Sequence, residues 1–195
     1  MGQKLVIDNF LTDFDAFREY CDTLNYKGEK NPVDGVFYPG VDLDVPDGFK
    51  NDITRKLSDI NGGGPVDIKA MFLSLSPEGT KAPHQAHTDS TMGEYSMMLY
   101  LNRLDDCEGG TSMVRHKKIG FSTNPINEKQ LLAWKADHSN PECWDTYDYC
   151  EMRPNRACIF KSEQMHRSEP VGGFGVGASD ARLVLVCFFS KNTND

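Results

Sequence analysis

Ile68-Lys69-Ala70-Met71-Phe72-Leu73-Ser74-Leu75 is apolar on both parities. Ile68, Ala70 and Phe72 would line one face of a strand, and Met71, Leu73 and Leu75 the other. That pattern suits a strand buried on both sides. Further short strands are expected beyond it: His84 to Asp89, Tyr95 to Leu101, Thr111 to Val114, Ala157 to Lys161, Glu169 to Val171 and Arg182 to Ser190. Gly, Pro or Asp clusters separate most of them. Several short strands at such spacing predict a sandwich or a barrel.

Upstream the rhythm differs. Lys4 to Ile7 reads as a short strand. Leu11, Phe14, Phe17, Tyr20, Cys21 and Leu24 follow the three-four spacing of an amphipathic helix. Lys27 to Asp47 is rich in Gly, Pro and acids and reads as loop, with an edge strand around Val36 to Tyr38. Phe49, Ile53, Leu57 and Ile60 predict a second helix, which Asn61-Gly62-Gly63-Gly64-Pro65 ends. The expected organisation is one domain over 1–195. Helical support and loop occupy 1–65, and a β core occupies 66–195. An insertion, 125–154, interrupts the core. It holds a helical piece, Glu128 to Ala136, and then Trp144-Asp145-Thr146-Tyr147-Asp148-Tyr149. Two readings stay open for it: a lid or binding loop, or a surface excursion whose aromatics pack down on the sheet.

Composition narrows the function classes. A chain of 195 residues buries roughly 70% of its unfolded surface and needs no staples. The net charge of -8 disfavours nucleic-acid backbones. Arg115-His116-Lys117-Lys118 reads as a solvated strand end. The longest apolar run, Leu183 to Phe189, is too short to span a bilayer, and no secretory signal is visible. The six cysteines form no CxxC pair, which argues against a zinc ribbon. Cys158 and Cys187 are expected in the core, and Cys143 and Cys150 as free thiols in a cytoplasmic protein.

The residues that carry chemistry are His87-Thr88-Asp89. On a strand, His87 and Asp89 project to one face, so an imidazole nitrogen and a carboxylate oxygen can converge on one cation. His166 follows the apolar strand Ala157-Cys158-Ile159-Phe160. Two imidazoles and one carboxylate, with other positions open, make the facial triad of non-haem iron(II) oxygenases. His84 faces the other way on a regular strand. His116 sits among cations and His138 in the polar insertion, so these three read as surface or supporting residues. Arg182 heads the most apolar strand of the chain. It is either an exposed strand start or a buried guanidinium that needs an anionic partner.

His87-x-Asp89, Tyr100-Leu101-Asn102, Gly109-Gly110-Thr111, His166, Pro170-Val171 and Arg182 occur in an order that resembles the 2-oxoglutarate/Fe(II)-dependent dioxygenases, their prolyl 4-hydroxylase-like branch in particular. The likeness spans roughly 67–191. It implies a mainly β fold, a double-stranded β-helix or jelly roll with N-terminal supporting helices. It also implies Fe(II) held by His87, Asp89 and His166, and 2-oxoglutarate held through its distal carboxylate by Arg182 with help from Tyr100. Ascorbate would keep the iron reduced. The implied reaction is hydroxylation of a C–H bond in an amino acid, peptide or other small substrate, with O2 consumed and succinate and CO2 released. Asp89 argues against a halogenase, which needs that position vacant. The basic residue lies farther from the second histidine than the family pattern has it, and a longer hairpin turn through Gly172 to Gly177 is expected to absorb the difference. In another register Lys161 or Arg167 would be the carboxylate partner. The competing classes are a metal-dependent hydrolase or isomerase on a cupin-like barrel, and a non-catalytic jelly-roll binding module.

Overall fold

The computed structural model describes residues 4–30, 35–82 and 85–192. Strand β1 (Lys4–Ile7) precedes helix α1 (Phe14–Asp22), three two-residue strands, β2 (Glu29–Lys30), β3 (Phe37–Tyr38) and β4 (Val41–Asp42), and helix α2 (Asp47–Ile60). The core then runs through β5 (Val66–Ser76), β6 (Tyr95–Tyr100), β7 (Gly110–His116), helix α3 (Glu128–Asp137), β8 (Trp144–Glu151), β9 (Ala157–Lys161), β10 (His166–Glu169) and β11 (Arg182–Lys191). A six-stranded sheet has the order β1-β9-β6-β11-β5-β4, and a three-stranded sheet has the order β10-β7-β8. The pairings in both are antiparallel, and the sheets make a jelly roll.

The doubly apolar strands sit where their pattern requires. β11 lies between β5 and β6, with Arg182 opposite Ser76 and Val184 opposite Tyr100. On one parity Leu183, Leu185 and Cys187 join Leu73, Leu75, Met97, Leu99 and Ile159 against Phe17 and Cys21 of α1 and Ile53 and Leu57 of α2. On the other parity Val184, Val186 and Phe188 join Met98, Tyr100, Cys158 and Phe160, facing Met113 and Cys150 of the small sheet. Burying each large side chain contributes about 1.5–3 kcal/mol, so the large sheet, apolar on both faces, holds most of the stabilisation. The two N-terminal helices are legible for the same reason: their apolar stripe has a sheet to cover.

Four expectations change. In the segment expected as a strand at 84–89, the described residues 85–89 form none. His87 makes a single isolated bridge to His166, and His84 lies outside the described residues. The strand expected at Glu169 to Val171 is β10, which ends at Glu169. The aromatic part of the insertion is a strand, β8, paired with β7 from Gly110↔Glu151 to His116↔Trp144. Finally, no hairpin joins β10 to β11, because they belong to different sheets. The glycine-rich connection crosses between the sheets and is held to the chain after β5 by Thr80 N–H to the Gly172 carbonyl at 2.9 Å and Glu78 N–H to the Gly175 carbonyl at 3.0 Å. Gly173 is needed there: at φ +77° a Cβ would lie 2.2 Å from the Ser76 carbonyl oxygen. Buried Arg18 of α1 closes over this crossover by donating to the Ala178 carbonyl.

Among the described residues no helix is long and apolar enough to cross a membrane. All six cysteines are free thiols.

Candidate metal centre

His87, Asp89 and His166 offer ligand atoms that all lie within 4.8 Å of one another. They reach that point by different routes. His166 opens β10, opposite Met113 on β7. His87 exchanges two backbone hydrogen bonds with His166, His87 N–H to the His166 carbonyl at 3.0 Å and the reverse at 2.9 Å. Asp89 N–H donates to the Ser162 carbonyl at 2.8 Å, just past β9. Two residues past the bridge, the Asp89 carboxylate falls between the two rings: Oδ1 is 3.5 Å from His87 Nε2 and Oδ2 is 3.2 Å from His166 Nε2.

The imidazoles are oriented for coordination. His87 Nδ1 faces the Gln85 carbonyl at 3.2 Å, and His166 Nδ1 faces the Gln164 carbonyl at 2.9 Å. A carbonyl can only accept, so each Nδ1 carries a proton, and in the neutral ring Nε2 keeps its lone pair for a metal. Phe160 lies edge-on to the His166 ring, centroids 4.8 Å apart. The Ser96 hydroxyl donates to Asp89 Oδ2 at 3.1 Å and is itself 2.8 Å from the Ser162 hydroxyl. Burial pushes the Asp89 carboxyl up, but His166, His87 and the Ser96 hydroxyl together outweigh it and hold it below its ordinary value. Burial pushes His166 down, and Asp89 together with the Gln164 carbonyl brings it above its ordinary value.

Among the described residues five buried side-chain polar atoms have no hydrogen-bond partner. They include His166 Nε2, Arg182 Nε and the amide oxygens of Gln85 and Gln164. A buried ring nitrogen with its lone pair aimed at a carboxylate is costly unless something positive sits between them, so the donor set fits a divalent cation. Two nitrogens and one oxygen on one side leave further coordination positions free. The matching Gln-x-His spacing at 85–87 and 164–166 is a signal the sequence offered and the strand pattern obscured.

Arg182 is 4% exposed. It stands two residues from Val184 on β11, and Val184 pairs with Tyr100. Among the described residues no carboxylate pairs with it. Burial pulls its pKa down, with partial compensation from Tyr100 and Tyr149. Lys161 is half exposed and 4.0 Å from Glu163. Arg167 is already paired with Glu169 at 2.6 Å. The Tyr100 hydroxyl lies 2.8 Å from Thr111 Oγ1 and 3.2 Å from the Cys150 carbonyl. An open depression of about 530 Å³ runs along the glycine-rich crossover, lined by Glu78, Glu108, Pro170 and Phe174, and no triad residue borders it.

Trp144 is buried among Ala86, Val114, Phe121 and Met165. Asp148 is paired with Lys4 at 2.6 Å, and Asp145 lies 3.8 Å from Lys117. Tyr147 and Tyr149 are partly exposed, and Arg115 sits over the Tyr147 ring. His116 is buried, stacked on Phe121, with Nε2 3.0 Å from Asp137 Oδ2.

A family of unknown function (DUF6445) matches residues 2–171 of the chain. No curated protein matches its sequence. Among solved structures, EctD from S. alaskensis with bound Fe is similar at 16% identity and a TM-score of 0.56, over 98% of this chain and 74% of that one. HygX from Streptomyces hygroscopicus with nickel and 2-oxoglutarate bound is similar at 11% identity and 0.57, over 98% and 83%. The viral collagen prolyl hydroxylase vCPH from Paramecium Bursaria Chlorella virus-1, in its 2OG complex, is similar at 10% identity and 0.54, over 96% and 94%. At these identities the likeness establishes a shared fold.

Proposed function

Because the chain belongs to DUF6445, a family of unknown function, its activity has to be read from its site, and we propose that it is a 2-oxoglutarate- and Fe(II)-dependent oxygenase. In this reading it hydroxylates a C–H bond of an amino acid, peptide or other small substrate and releases succinate and CO2. The observation that carries the reading is the convergence of His87, Asp89 and His166 within 4.8 Å inside a jelly roll. Iron, nickel and 2-oxoglutarate are bound by proteins of the same fold, which supports it.

His87 Nε2, His166 Nε2 and one Asp89 oxygen would hold the ferrous ion. When bound, iron and 2-oxoglutarate would supply the oxidising chemistry, with O2 as oxidant and ascorbate keeping the metal reduced. The chain's own residues do the rest. The Gln85 and Gln164 carbonyls hold both Nδ1 protons away from the metal face. Ser96 steadies the carboxylate. Arg182, buried without a counter-ion, is assigned to the distal carboxylate of 2-oxoglutarate, whose two oxygens match its planar fork. Tyr100 stands beside it as a secondary partner. The phenylalanine and methionine wall between the sheets keeps water out. Six free thiols support a reducing, cytoplasmic setting.

The test is an anaerobic titration with Fe(II) and then 2-oxoglutarate, followed by a screen of amino acids and peptides for coupled succinate release. Stoichiometric metal uptake that His87→Ala abolishes, with substrate-dependent succinate, is the expected result. Metal uptake without any 2-oxoglutarate consumption would move the protein to the hydrolase class, and no metal uptake would reject the site.

A further inference from the structure

His87 is placed by something other than a strand. Its segment has one bridge on one side. On the other side lies the end of α3. Ala86, fully buried, has both backbone groups held there: its N–H donates to the His138 carbonyl at 2.9 Å, and its carbonyl accepts from Trp134 Nε1–H at 2.8 Å. The end of α3 is in turn anchored to the small sheet. Trp144 Nε1–H donates to the Asp137 carbonyl at 2.8 Å, and His116 Nε2 lies 3.0 Å from Asp137 Oδ2. The Trp144 ring lies edge-on to His116 and Phe121, at 5.0 and 5.5 Å. The chain has 2 tryptophans, and both spend their indole N–H on this line of contacts.

The helix packs lightly, with Ala133 and Trp134 set against the cluster of Ala86, Val114, Phe121, Trp144 and Met165. No residue of α3 is fully buried, and Leu131 and Leu132 are exposed. A surface helix that buries so little apolar area contributes little by packing. Its polar grip on Ala86 adds a directional hold to that light packing.

We propose that Trp134 is a positioning residue for the metal ligand His87, and that α3 with its Trp134–Ala86 bond sets metal affinity from the inserted segment. The inference rests on the assignment of His87, Asp89 and His166 as metal ligands. Its logic is geometric. Without the indole donor the Ala86 carbonyl loses its partner, the 85–87 backbone loosens, and the imidazole has to be ordered by the metal itself. Loss of such a supporting contact typically weakens metal binding about 10- to 100-fold.

Two substitutions separate the hydrogen bond from the ring. Trp134→Phe keeps an aromatic ring and removes the N–H. Trp134→His keeps an N–H at the same position of a five-membered ring and removes the benzene half. Purified parent and variants are titrated with Co(II) under anaerobic conditions, reading the visible absorption of the bound ion. Amide exchange across 85–89 is measured on the metal-free proteins. The expected result is Co(II) affinity about tenfold or more weaker in Trp134→Phe, within about threefold of the parent in Trp134→His, with faster exchange only in the Phe variant. Parent-like affinity in Trp134→Phe would overturn the proposal, as would equal losses in both variants, which would make the role one of packing. Should the Phe variant fail to fold, the His variant decides: parent-like affinity supports the assignment and weakened affinity rejects it. A parent chain that takes up no Co(II), with His87→Ala unchanged from it, rejects the triad itself and the inference with it.

Discussion

The two histidines of the triad are supported in opposite ways. His166 belongs to a strand, paired residue by residue with β7 from His166↔Met113 to Glu169↔Gly110, and is 3% exposed with Phe160 against its ring. His87 belongs to no strand; its side chain is 32% exposed, and its neighbour Ala86 hangs between the sandwich and α3. One ligand inherits its position from a cooperative sheet. The other is set by its single bridge to His166 and, through Ala86, by hydrogen bonds from a peripheral helix. In the proposed reading that asymmetry has a use: the buried His166 would anchor the ion, and the more exposed His87 would leave one side of it reachable.

The largest effects break the triad and sharpen this contrast. His166→Ala and His87→Ala should each abolish measurable Fe(II) uptake and all 2-oxoglutarate turnover. Their thermal melts should differ. His166→Ala empties a buried site beside Phe160 and should cost about 1–3 kcal/mol, whereas His87→Ala should stay within about 0.5 kcal/mol of the parent. Equal melting shifts would mean that the two ligands are equally embedded.

Next comes the large sheet's contribution. Arg182→Met keeps the length and removes the charge. The 2-oxoglutarate dissociation constant should rise about 30-fold or more, the loss expected when one partner of a buried charge pair is removed, while Fe(II) affinity stays within about twofold. The metal-free variant should be at least as stable as the parent, because a buried guanidinium without a counter-ion has gone. A loss of folding would make Arg182 structural instead. One step from Trp134, Trp144→Phe should weaken Co(II) binding only about fivefold, one ordinary hydrogen bond's worth, since His116 still holds Asp137. An effect as large as that of Trp134→Phe would move the centre of the support from the helix to β8.

The same contrast explains what could be read from sequence. β5, β6, β9 and β11 are legible because both parities are apolar, which only a strand covered on two sides requires. The triad is legible as residue types in order, and Arg182 as a charge heading an apolar run. The segment 84–89 is not: His84-Gln85-Ala86-His87-Thr88-Asp89 has no apolar alternation, and Ala86, His87 and Asp89 are held by bonds to distant backbone that leave no periodic trace. β8 hid behind its charges. Its period of two breaks at a bulge, where Val114 pairs with Thr146 and Met113 with Asp148, and between the buried Trp144 and Cys150 its residues are polar or largely exposed. The crossover reads as a hairpin in sequence because glycines announce a turn without saying which sheet the chain enters next.

The smallest effect tests the wall around Arg182. Tyr100 has one hydroxyl proton, and two acceptors already compete for it, Thr111 Oγ1 at 2.8 Å and the Cys150 carbonyl at 3.2 Å. To donate to a cosubstrate carboxylate it has to give one of them up. Its contribution is then the difference between two hydrogen bonds, one of them charge-assisted, which comes to about 1 kcal/mol or less. Tyr100→Phe should therefore raise the 2-oxoglutarate dissociation constant no more than about fivefold, leave Fe(II) affinity unchanged, and soften the thermal melt slightly through the lost Thr111 contact. A loss matching that of Arg182→Met would mean that the phenol gives its proton wholly to the carboxylate when 2-oxoglutarate binds, and that Thr111 and the Cys150 carbonyl hold it only until then.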